Sequence, residues 1–115
     1  MKDFEGKIQY KDKEYRLVFN LNVMENIQEE YGSVEAWGSL SDGSDGNEPN
    51  AKAVIFGFTQ MINEGIDMDN EENGTDIKPF TAKQVGRLIS EYGLRNATEK
   101  LHETVIQSTQ SEEKN

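Results

Sequence analysis

The pattern that most limits the fold is an alternation of apolar and polar residues on either side of a short charged turn. Ile8 and Tyr10 alternate with polar residues before the turn, and Tyr15, Leu17 and Phe19 do so after it. A period of two gives a strand one apolar face. Lys11-Asp12-Lys13-Glu14 lies between the runs, which predicts an antiparallel hairpin. A lone hairpin is marginal in water, so its apolar face must lie on helices. The next residues supply one. Asn22 with Glu25 three residues on has the form of a capping box, and Val23, Met24, Ile27 and Tyr31 then share a helical face. Gly32 ends that helix, and Val34, Trp37 and Leu40 continue as a short second helical piece.

Residues 41–50, SDGSDGNEPN, carry the turn formers Gly, Asp, Ser, Asn and Pro and predict an acidic loop. A helix is expected from Ala51 to Glu64, with Val54, Ile55, Phe58, Met61 and Ile62 on one face and Phe56 roughly opposite. Residues 65–78 then form a second acidic loop. Thr81-Ala82-Lys83-Gln84 is a clean capping box, flanked by Phe80 and Val85 at the staple positions. Its helix buries Val85, Leu88, Ile89 and Tyr92 and stops at Gly93, a residue suited to positive φ. Leu94, Ala97, Leu101 and Val105 give a last helix. The expected fold class is α+β: an N-terminal antiparallel β-hairpin packed on a set of about four helices, in one domain over residues 1–107. Residues 108–115 are expected to be a disordered tail.

Charge and composition remove several function classes. The net charge is −10 over 115 residues, and it is unevenly placed. Residues 1–20 carry five bases and four acids, residues 21–50 carry seven acids and no base, and residues 51–80 carry two bases and six acids. The last stretch, 81–115, balances five against five. A field of this sign repels nucleic acid and anionic lipid and favours basic partners. No apolar run approaches the length of a membrane span, and the first ten residues lack the apolar core of a secretory signal. There is no cysteine, so disulfide and thiolate chemistry are excluded.

Catalytic and cofactor motifs are not legible. His102 is the only histidine and reads as an exposed helix residue beside acids. With no cysteine and one histidine there is no zinc-type ligand set. Asp69-Asn70-Glu71-Glu72-Asn73-Gly74 imitates the first half of a calcium loop, but the twelfth position is Phe80 where a bidentate Glu is needed. An acidic turn is the better reading. Phosphate-binding glycine motifs are absent, and the basic residues are scattered along the sequence. No cofactor or metal is expected, and the chain is expected to be a non-enzyme. Interaction chemistry remains. Trp37 sits on a short helix beside a loop, and Phe56 and Ile106 lie off their helices' main apolar stripes. Large apolar groups outside a core often mark partner surfaces, so these three are the candidate partner-binding residues.

The run from Ile8 to Trp37 resembles the start of tail assembly chaperones from long-tailed phages and prophages of Gram-positive hosts. The resemblance rests on the strand pair with its charged turn (KIQYKDKEYRLVF), the Asn-capped helix (NLNVMENIQEEYG) and the Glu35-Ala36-Trp37 step. A helix rich in Phe and Met, an acidic loop, the phrase PFTAKQVGRLI and a last helix extend it to about residues 7–107. The resemblance implies a temporary partner of the tape measure protein, one that keeps it soluble and helps recruit tail tube subunits. Self-association into rings or short filaments is also implied, as are a place in the bacterial cytoplasm and absence from the mature virion. Many such proteins have a longer form, made by ribosomal frameshifting, whose added domain binds tube subunits. Glu113-Lys114-Asn115 permits a slippery A-rich heptamer at the nucleotide level. The alternatives are a small phage adaptor retained in the particle and an acidic mimic of DNA. The second would need regularly spaced carboxylates on a rigid face.

Overall fold

The computed structural model describes residues 4–44 and 48–113, without the side chains of residues 4–5 and 109–113. Strands β1 (Phe4–Tyr10) and β2 (Lys13–Phe19) are followed by helices α1 (Leu21–Tyr31), α2 (Val34–Asp42), α3 (Ala51–Asn73), α4 (Ala82–Tyr92) and α5 (Leu94–Glu113). The class is α+β, a hairpin followed by five helices.

The hairpin has the expected antiparallel pairing, with Ile8 opposite Tyr15 and Tyr10 opposite Lys13. Its turn is tighter than the sequence suggests. Only Lys11 and Asp12 lie between the strands, at φ of 50° and 65°. Two successive residues in the left-handed region give the turn whose twist matches the flanking strands. Leu17, Val18 and Phe19 are all fully buried, so the end of β2 is covered on both faces. Two helices do this. α3 crosses β2 at Gly65, where a Cβ would overlap the carbonyl oxygen of Arg16. α5 lies against β1 at Gly6, where a Cβ would come within 2.7 Å of Thr104 Oγ1.

Helix starts follow capping chemistry closely, with one shift. α1 is capped by Asn20 rather than Asn22: the Asn20 side-chain oxygen Oδ1 accepts from the Val23 backbone N–H at 3.2 Å. The Asn20 and Asn22 side-chain amides both donate to Glu64, at 2.7 and 3.1 Å, and tie the start of α1 to α3. Ser33 and Asn50 cap α2 and α3 in the same manner. α4 has the full capping box, Thr81 and Gln84 exchanging hydrogen bonds of 2.8 and 3.1 Å. It ends at Gly93, with φ 99°.

Three expectations about loops and tail are corrected. α3 does not stop at Glu64. It runs to Asn73, so most of the expected 65–78 loop is helix, and Gly74 at φ 64° ends it. Gly65 belongs to the crossing with β2, and Ile66 continues the buried stripe at 3% exposure. Arg16 of β2 pairs with Asp69 and Glu72 and holds the added turns. The expected 41–50 loop starts later, since Ser41 and Asp42 close α2; its residues 45–47 lie outside the described residues. The helix expected to fade at 107 continues to Glu113. Ser108 is buried and its hydroxyl donates to the Phe19 carbonyl at 2.9 Å. Residues 114–115 of the expected tail lie outside the described residues.

The return from α3 to α4 is held by a repeated device. Asn70 takes the Ile77 backbone in two bonds of 2.9 Å, one to its N–H and one to its carbonyl. Asn63, two turns earlier on α3, grips Phe80 in the same way at 2.9 and 2.7 Å. A side-chain amide supplies one donor and one acceptor, which match one residue of extended backbone. The second clamp sets the Phe80 ring edge-on against Tyr15, with centroids 5.0 Å apart.

Candidate functional site

Trp37 is not a surface residue. It is fully buried at the meeting of α2, α3 and α5. Its indole N–H donates to the Ala53 carbonyl at 2.8 Å. Its ring occupies the space in which a side chain at Gly57 would sit, and the His102 ring stands edge-on to it at 6.4 Å. A buried indole with its donor satisfied is a core residue, which removes Trp37 from the partner-binding set. Phe56 is half-buried. It packs edge-to-face on Tyr31, centroids 5.5 Å apart, and with Asn26, Glu29, Glu30 and Gln60 borders a shallow hollow between α1 and α3. Ile106 is exposed, at 51%. The three residues therefore do not form one surface.

His102 differs from its expectation as an exposed residue. It is half-buried, and its Nε2 lies 3.1 Å from the Ser41 hydroxyl. Asp42 is the next residue along α2 and adds to a superficial likeness to a hydrolase triad. The local chemistry opposes that function. Ser41 is fully buried, out of a substrate's reach. Its hydroxyl also lies 3.1 Å from the Gly38 carbonyl, which competes with the imidazole for the one hydroxyl proton. Burial lowers the His102 pKa, with Asp42 pulling the other way. At Asp42, burial pushes the pKa up, but hydrogen bonds from Ser44 and the nearby imidazole outweigh it and leave a net lowering.

This pair has a consequence for stability. A histidine whose folded pKa is depressed binds its proton more readily when unfolded. Its neutral, buried form contributes stability above the ordinary value of 6.5, and that contribution is lost as pH falls from there to the lower folded value. The urea midpoint is expected to drop between pH 7.5 and pH 5.5, and His102→Gln, which keeps a hydrogen-bonding partner for Ser41, is expected to flatten that drop. An unchanged pH slope in the variant contradicts the assignment.

The larger concavity lies beside this pair. The end of α2, the residues before α3 and the first turns of α5 enclose an open groove of about 830 Å³ lined by Asp42, Glu48, Pro49, Leu94, Glu99 and His102, with Arg95 and Thr98 completing the wall. Leu94, expected to start a buried stripe, is 40% exposed here. At 100° per residue, Arg95, Glu99, His102 and Ile106 fall within about 60° of one another on α5. Ile106 lies one turn beyond His102 on that side of α5, outside the groove's lining. The sequence signal was present in this spacing, but the partner wall from α2 and residues 48–49 is a tertiary contact that periodicity does not reveal.

Among the described residues no group of three or more acidic or histidine side chains is arranged to hold a metal ion. Asp69–Asn73, the imitation of a calcium loop, is helical. Among the described residues no helix is long and apolar enough to cross a membrane. No family profile, curated protein or solved structure matches the chain.

Proposed function

We propose that this protein is a tail assembly chaperone: a binding protein that covers apolar helical segments of a tape measure protein until tail tube subunits replace it. The observation that carries the reading is the groove at the start of α5, where exposed Leu94 stands beside Asp42, Glu48 and Glu99, with Ile106 exposed further along the same helix. An amphipathic helix with apolar residues on one stripe and Lys or Arg beside them matches that arrangement. The hairpin, the Asn-capped α1 and the Trp37 step give the same order of elements on which the family resemblance rests. The charge of −10 keeps a loaded complex dispersed, and several weak contacts along a long partner permit release.

A DNA mimic is the less favoured reading. The acids of residues 67–72 do sit on a rigid helix, which that reading needs. Yet Arg16 pairs with Asp69 and Glu72, so the face is partly neutralised.

Co-expression with a tape measure protein, the proposed partner, tests the proposal. The soluble fraction of that protein is expected to rise with the wild-type chain. Leu94→Asp/Ile106→Asp changes exposed sites and should leave folding intact. Each substitution removes about 1 kcal/mol of apolar contact, about 2 kcal/mol together, so about a thirtyfold loss of affinity is expected. No gain in solubility from the wild-type chain moves the assignment to an adaptor retained in the particle, for which virion composition is the readout.

A further inference from the structure

Basic residues that are far apart in sequence converge at the other end of the hairpin. Lys11, Lys78 and Arg87 border one groove together with Tyr10, Tyr15, Pro79, Phe80 and Gln84. Three separate elements deliver them. Lys11 is in the hairpin turn, Lys78 in the segment held by the Asn63 and Asn70 clamps, and Arg87 on α4. We propose that this groove binds a short acidic segment of a protein partner, at a site separate from the α5 groove and independent of the chaperone reading.

Charge complementarity carries the argument. Acids outnumber bases 22 to 12 in this chain, so an average cation should find a carboxylate easily. The ion pairs among the described residues involve Lys7 and Arg16, not Lys11, Lys78 or Arg87. Lys11 instead lies over the Tyr10 ring at 5.3 Å, and neighbouring Lys13 over Tyr15 at 5.8 Å. These cations rest on aromatic faces and remain available to an incoming carboxylate. Lys11 also holds a left-handed φ of 50°, where glycine or asparagine is the usual residue. Glu91 borders the adjoining hollow beside Lys11 and limits the positive region on that side.

An acidic peptide is favoured over a nucleic acid. The rest of the chain is strongly negative and repels an extended polyanion, whereas a short segment meets only the local field. Tyr15 and Phe80 offer an aromatic floor for one apolar residue between the acids.

The test is titration of the ¹⁵N-labelled full chain with the heptapeptide EEYEDFE, followed by amide shifts at low salt. Saturable shifts are expected at Lys11, Lys78, Phe80 and Arg87, with affinity about tenfold lower in Lys78→Glu/Arg87→Glu. Both sites are exposed, and the variant's own spectrum reports its folding. If it does not fold, Lys78→Gln/Arg87→Gln replaces it, with a smaller loss in the same direction. Shifts that do not saturate, that map to α5, or that persist at full affinity in a folded variant overturn the proposal. So does a ten-nucleotide thymidine oligomer that binds the groove more tightly than the peptide.

Discussion

Trp37→Ala is expected to cost about 3–5 kcal/mol of folding stability. The indole is fully buried, so truncation leaves a cavity at the meeting of α2, α3 and α5. It also removes the indole bond to the Ala53 carbonyl at 2.8 Å, an oxygen that stays within the α3 ladder. A lost hydrogen bond of this kind costs about 0.5–1.5 kcal/mol. Small domains have about 5–15 kcal/mol in total, so the variant falls near the threshold of folding. Equilibrium urea unfolding of both chains checks this. Trp37→Phe should be intermediate, because it refills most of the volume but not the hydrogen bond. A loss under about 1 kcal/mol in the alanine variant would restore Trp37 as a surface candidate.

Gly65→Ala is expected to destabilise by about 1–3 kcal/mol or more, although alanine is the better helix former by about 1 kcal/mol. The deciding factor is the neighbour. The added methyl meets the Arg16 carbonyl oxygen and backbone carbon, and a paired strand cannot move aside as a flexible side chain can. The crossing of α3 over β2 would have to open, loosening the Arg16 pairs with Asp69 and Glu72. Gly38→Ala is the matched control. It lies within α2 with nothing within 4 Å of the new methyl, so propensity acts alone and stability should rise by up to about 1 kcal/mol. Opposite signs for the two substitutions would establish close backbone approach as the reason for Gly65. A gain at both would contradict the packing described for α3.

Elements set by local chemistry were legible in the sequence. The hairpin followed from its alternation, and α4 followed from Thr81, Gln84 and Gly93, whose roles are local by nature. The misreadings share one cause: a partner distant in the chain decided the outcome. Gly65 falls at the start of the expected acidic loop, but it is where β2 passes. Ser108 looked like the start of a polar tail, but its hydroxyl meets Phe19, 89 residues away in sequence. Trp37 and His102 looked half-placed on short or polar elements, and each is completed by the other's helix. Asn20 was overlooked as a cap because Asn22 also offered a plausible pattern. Of the proposed binding surface, only Ile106 was singled out from sequence. Leu94 was assigned to the core, and the acidic wall opposite α5 comes from residues 42 and 48, which no periodicity links to it.

The proposed docking of a basic amphipathic helix in the groove beside α5 is open to amide hydrogen exchange, run on the chain with and without a tape measure protein as the proposed partner. Added protection is expected over Leu94–Ile106 and residues 48–50, with little change in α1 or at the hairpin turn. Protection confined to the Phe56 side of α1 and α3, or a complex that forms with α5 unchanged, would contradict it.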